Sequence, residues 1–179
     1  MTSDTSGAPG DESITDRLQV RGRSRRPGLV AALAVLAVVA AVVAYVTTGP
    51  DELPTSEAVV TASTPVGQPV YLGVFQVGTD LDHVSGVKVF ATSTVPVTIT
   101  THVCDRGSVG VTTQPEMFCS AFVDTEDVVL TPGDEIVLEV SGEEPGVVSI
   151  DRVRVGYRDG VHWATHSAGS PAVVSILSR

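Results

Sequence analysis

The run Leu29 to Val46, LVAALAVLAVVAAVVAYV, contains only Ala, Val, Leu and one Tyr. Eighteen such residues in a row leave a chain few options. At 1.5 Å per residue they make a helix of roughly 27 Å, and Gly28, Thr47 and Thr48 extend it to about 31 Å, the thickness of a bilayer's hydrocarbon core. Arg17, Arg21, Arg23, Arg25 and Arg26 crowd the N-terminal flank, whereas Thr47 to Glu57 carries only Asp51, Glu52 and Glu57. By the positive-inside rule, residues 1–27 are then a cytoplasmic tail, 28–48 a transmembrane signal anchor, and the remainder lies outside the cell membrane.

Charge divides the same way. Residues 1–27 hold five Arg against four acids, while residues 47–179 hold six Lys or Arg against seventeen acids, a net of −11 within an overall −10. An ectodomain this acidic should repel nucleic acid, and no nucleic-acid partner is expected. Lys occurs once, at Lys88, against ten Arg, and Ala and Val are abundant. With the N-in anchor, that bias resembles single-pass membrane proteins of high-GC actinobacteria that carry an extracytoplasmic β-sandwich. The resemblance is one of layout and carries no functional residue across.

The tail, Met1 to Val20, is rich in Ser, Thr, Asp and Gly and shows no periodicity, as a disordered segment does. Ser24 to Leu29 partly resembles a twin-arginine export signal, but Gly28 stands where such a signal has a large apolar residue, and no clear A-x-A site follows the run. An uncleaved anchor fits better. Ala37 with Ala41, and Ala40 with Ala44, form small-xxx-small pairs through which two spans would pack as a homodimer. Pro50, Pro54 and Pro65 punctuate 49–66, which reads as a stalk, with the start of an edge strand at Ala58 to Thr61.

From residue 67 to 179 apolar residues recur with a period of two, and turn signals come about every ten residues. Val95, Val97, Ile99, Thr101 and Val103 alternate with Pro96, Thr98, Thr100, His102 and Cys104. Ile136, Leu138 and Val140 do the same against Glu135 and Glu139. In VVSIDRVRVGY the phase slips between Ile150 and Val153, which predicts a bulge near Asp151-Arg152. Strands are expected at about 69–77, 84–92, 95–104, 108–113, 119–124, 135–141, 147–158, 161–166 and 171–177, joined by turns such as Pro132-Gly133, Pro145-Gly146 and Asp159-Gly160. With no helical stripe in this region, two sheets must stack. The fold class is all-β, an immunoglobulin-like or Greek-key sandwich of seven to nine strands after one transmembrane helix.

Cys104 and Cys119 are the only cysteines and lie on the oxidising side, so a disulfide is expected, pinning the loop GSVGVTTQPEMF onto the strand that ends at Cys104. His83, His102, His162 and His166 are the residues an enzyme or metal site would use. His162 and His166 are four apart, about 13 Å along a strand, too far to share a metal. No G-x-S-x-G elbow, phosphate loop or calcium loop is present. The carboxylate pairs Asp80/Asp82, Glu126/Asp127, Asp134/Glu135 and Glu143/Glu144 all fall beside turns, where solubility is the plain reading. No catalytic residue, cofactor or metal is expected.

A two-residue Asp159-Gly160 turn would place Tyr157 opposite His162, Gly156 opposite Trp163 and Arg154 opposite Thr165. Trp163 would then have Arg154 and Arg158 as same-face neighbours, and with Tyr157 they make a cluster of the composition found at protein-binding hot spots. Trp163 either covers one end of the core or forms such an interface. The expected function is a non-enzymatic, membrane-anchored envelope module that binds a protein partner or supports an envelope assembly; the alternative is an extracytoplasmic enzyme or metal-binding domain using the histidines.

Overall fold

A computed structural model describes residues 26–47, 49–50, 52–125, 128–159 and 162–178. Residues 1–25 of the tail expected at 1–27, the pair Glu126/Asp127 and Gly160 of the expected turn lie outside the described residues. Two compact units divide between Thr47 and Thr48.

The first unit holds one helix, α1 (Arg26–Thr47), 22 residues and about 33 Å long. Pro27 stands in its first turn, where a missing N–H costs no helical hydrogen bond. Ala, Val and Leu occupy every face, so there is no amphipathic stripe, and the large side chains from Val30 to Tyr45 are exposed. The helix stands where the sequence places a span. Among the described residues no helix is long and apolar enough to cross a membrane. The structure thus supplies a 22-residue apolar helix and not a demonstrated span.

The second unit is an all-β sandwich. Its strands are β1 (Val60–Pro65), β2 (Val70–Gln76), β3 (Leu81–Lys88), β4 (Ala91–Ser93), β5 (Val97–Asp105), β6 (Val111–Thr112) and β7 (Ala121–Asp124). There follow β8 (Val128–Leu130), β9 (Glu135–Gly142), β10 (Gly146–Ile150), β11 (Val153–Asp159), β12 (His162–Ala168) and β13 (Ala172–Leu177). One layer is a five-stranded sheet in the order β6-β2-β9-β5-β7. Opposite it lie two four-stranded sheets, β1-β13-β10-β4 and β12-β11-β3-β8. The same three stretches of chain run side by side in both, because short breaks at 89–90, 151–152 and 169–171 split three long strands into six. The break at Asp151-Arg152 is where the periodicity slips. The breaks at 89–90 and 151–152, with β1 and the short β8, are why thirteen strands stand among the described residues in place of seven to nine.

Alternation determines what each layer buries. Leu72, Val74, Val103, Ile136, Leu138 and Val140 point from the five-stranded sheet into one core with Val84, Val148, Ile150, Val153, Val155, Tyr157, Val174 and Ile176 from the other sheets. Each fully buried aliphatic side chain of this kind contributes about 1.5–3 kcal/mol.

The stalk boundary moves. Leu53 is buried, Pro54 O accepts the N–H of Gly169, and the N–H of Ser56 reaches Gly169 O. Further on, β1 pairs in parallel with β13, Val60 opposite Ala172 through Pro65 opposite Leu177. Most of 49–66 is therefore part of the sandwich, because Leu53 and β1 have apolar surface and backbone groups to satisfy. Glycine is required at the joint. Gly169 has φ +72°, and a Cβ there would lie 2.0 Å from the carbonyl oxygen of Val74.

Candidate interaction face

The outer face of β12-β11-β3 carries the residues that the sequence singles out. Along β11 the side chains of Val153, Val155 and Tyr157 turn inward and are buried, while Arg154 is exposed and Gly156 and Arg158 are partly so. Along β12, Trp163, Thr165 and Ser167 face outward. Asp159 pairs with His162, Arg158 with Trp163, Gly156 with Thr165 and Arg154 with Ser167. The expected register is therefore off by two residues: Gly156 lies opposite Thr165 and not Trp163. Faces survive this error because the two registers differ by two residues, and side chains repeat every two.

Trp163 is 64 % exposed, so it does not cover the core, and its cross-strand neighbour is Arg158. Tyr157 is 2 % exposed and leaves the proposed cluster for the core, where its ring meets His166 edge-on at 6.0 Å. Arg154 also departs from Trp163. Its guanidinium lies over the ring of Phe90, 4.9 Å from the centroid.

The four histidines are spread over three strands: His83 in β3, His102 in β5, His162 and His166 in β12. His102 lies between two carboxylates, Nε2 3.1 Å from Glu139 Oε2 and Nδ1 3.5 Å from Asp124 Oδ1, and stacks on Phe122 at 4.6 Å. The Glu139 hydrogen bond ties β5 to β9. The Nδ1 of His166 is buried with no hydrogen-bond partner among the described residues. His166 borders a cleft of about 490 Å³ with Glu52, Leu53, Thr55, Arg154, Thr165 and Ser167. Among the described residues no group of three or more His, Cys, Asp or Glu could hold a metal ion.

Sequence reasoning missed a buried polar cluster on the other layer. Cys104 and Cys119, the only cysteines, are bonded as expected, with Cα atoms 5.1 Å apart. The loop they close covers the outer face of β9. Beneath it Cys104, Val109 and Val137 form a second small core with Tyr71 and Phe122. Asp134 and Glu135, expected to be solvated, are buried there. Glu135 accepts the N–H of Val109 and the hydroxyl of Ser108, and fits only because Gly73 is bare: a Cβ on Gly73 would lie 2.3 Å from its Oε1. Burial pushes the Glu135 carboxyl above the ordinary glutamate value, more than those two donors hold it down. For Asp134 the balance reverses. Burial alone would raise it, but the N–H groups of Arg106 and Thr131 and the Thr131 hydroxyl hold it below the usual aspartate value.

No family model matches this chain, and no curated protein matches it. Function must be argued from these faces.

Proposed function

We propose that this chain is a non-enzymatic envelope module, anchored in the cell membrane by α1 and binding a protein partner through the outer face of β11 and β12. The single observation that carries the reading is Trp163, 64 % exposed in register with Arg158 on the outer sheet face. Tryptophan and arginine are the residues most enriched where binding energy concentrates, and a tryptophan left in water forfeits the burial it could have had in a core. The dispersed histidines give the enzyme or metal alternative no common site. Within this reading the sandwich is immunoglobulin-like. A first strand parallel to the last, with β2, β9 and β5 facing β3, β11 and β12, supports that description.

Two experiments test it. A photo-crosslinking residue at position 163, in intact cells, is expected to give a discrete protein adduct that the same residue at the exposed Thr98 of β5 does not. Trp163→Ala should abolish that partner's co-purification while shifting stability by less than about 0.5 kcal/mol. No adduct at 163, or a large fall in melting temperature, defeats the interface. For topology, the anchor reading rests on the uncharged run 29–46 and its five flanking Arg. Protease added to intact cells is expected to remove the sandwich and spare the N-terminus; a C-terminal tag found on the cytoplasmic side overturns it.

A further inference from the structure

Beside the tryptophan, the same sheet face holds an arrangement that protein binding does not explain. Lys88 and Arg154 are directly opposite each other on β3 and β11. Like charges facing across a strand pair are destabilising. Neither makes an ion pair among the described residues, in a domain with seventeen acids available. The next outward-facing pair along the ladder is Gly86 opposite Gly156, and Thr165 is the neighbour of Gly156 on β12. Two bare glycines side by side leave a dent in the face. Its floor is shaped by Ser85, whose hydroxyl sits where a side chain on Gly156 would stand, with an added Cβ only 2.7 Å from its Oγ. Over Gly86 the space is open. The result is a cleft of about 290 Å³ lined by Ser85, Gly86, Val87, Lys88, Arg154, Gly156 and Thr165.

We propose that this dent binds the phosphate group of a compact phosphate ester. Arg154, whose guanidinium now lies over the Phe90 ring, offers a planar fork of donors, and Lys88 a point charge. The hydroxyls of Ser85 and Thr165 donate to the remaining oxygens. A bound dianion removes the repulsion between the two cations, which is the cost the empty site carries. Size follows from the surroundings. With a net charge of −11, the domain repels an extended polyanion, whereas a small one enters within a screening length of about 8 Å and meets mainly the two cations. The ester's organic part has room in the adjoining cleft of about 490 Å³, which shares Arg154 and Thr165 and adds Glu52, Leu53 and Thr55.

The test uses the full chain in a nonionic detergent, titrated with inorganic phosphate against sodium chloride at matched ionic strength. Phosphate is expected to raise the melting temperature of the wild-type chain and to move the backbone amide resonances of Gly86, Gly156 and Thr165. Lys88→Gln and Arg154→Gln should each weaken the response about tenfold or more, and Arg106→Gln, on the other layer, should leave it intact. Lys88→Gln is also expected to melt slightly higher than wild type without phosphate, because it removes the facing charge; a solvated lysine with no role would move neither reading. Glycerol phosphate and phosphatidylglycerol in mixed micelles, titrated in parallel, tell a soluble ester from a lipid headgroup by which binds more tightly. An equal response to chloride, or a phosphate response that survives both substitutions, overturns the site. Trp163→Ala is expected to leave phosphate binding unchanged, so this proposal and the protein-partner reading fail separately.

Discussion

With Cys104 and Cys119 both replaced by alanine, the sandwich is expected to lose about 3 kcal/mol of stability, a fall of about 10 °C in Tm. The bond joins residues 15 apart in sequence, and removing it returns that loop's freedom to the unfolded chain. The folded state loses too. Cys104 is fully buried against Val109 and Val137, and the loop carries β6, whose Val111 and Thr112 pair with Leu72 and Tyr71. If the loop lifts, Gly73 N–H loses its acceptor, Gly110 O at 2.8 Å, and its amide should exchange at least as fast as the amides of β6. Chemical melts of the double variant, and of reduced wild-type protein, should agree with each other. A midpoint within error of the oxidised protein would mean that the small core under the loop holds it without the bond. Replacing both cysteines matters, because a single change leaves a reactive thiol in the second.

What the sequence makes legible here is period, and what it hides is coverage. All nine expected strands are present, since alternation at Val97, Ile99 and Val103, or at Ile136, Leu138 and Val140, leaves one face to bury. Register was misread at the β11–β12 hairpin because both registers put Val155, Tyr157, Ala164 and His166 inward. Asp159-Gly160 is good turn chemistry, but the other end of the hairpin decides: Gly169 is clamped between Pro54, Ser56 and Val74, which fixes Ala168 opposite Val153. The stalk boundary is hidden for a related reason. Prolines and small polar residues signal a linker, yet buried Leu53 and the hydrogen bonds of Pro54 and Ser56 to Gly169 dock the segment, and a parallel partner strand over a hundred residues away leaves no local trace. On the candidate face, Trp163 and the two arginines were visible by residue type. The opposition of Lys88 and Arg154 was not, because it needs the pairing of strands 66 residues apart.

The buried pair Asp134 and Glu135 should answer to pH in opposite senses, and this separates what each does. Asp134 accepts three hydrogen bonds, from Arg106 N–H, Thr131 N–H and the Thr131 hydroxyl, and so ties the chain after Cys104 to the Pro132-Gly133 turn. Asp134→Ala removes the acceptor of two part-buried N–H groups and is expected to cost about 1–2 kcal/mol at neutral pH. Its folded-state pKa is lowered, so its stabilisation is present above the ordinary aspartate value and is lost as pH falls through the folded one. Glu135 has a raised folded-state pKa, so the native state holds that proton more tightly than the unfolded chain. Its contribution is most favourable below the ordinary glutamate value and is lost as pH rises through the raised one. Glu135→Gln keeps an oxygen to accept Val109 N–H and removes the buried charge, so it is expected to raise the unfolding midpoint at neutral pH and to lose that advantage in acid. Urea melts of wild type, Asp134→Ala and Glu135→Gln from about pH 3 to about pH 8 check both arms. If Glu135→Gln lowers stability at neutral pH, the carboxylate is doing more for the Ser108–Val109 backbone than its desolvation costs. A glutamate under a disulfide loop, resting on a glycine, would then be the clasp that holds the loop to β9 rather than a charge the fold tolerates there.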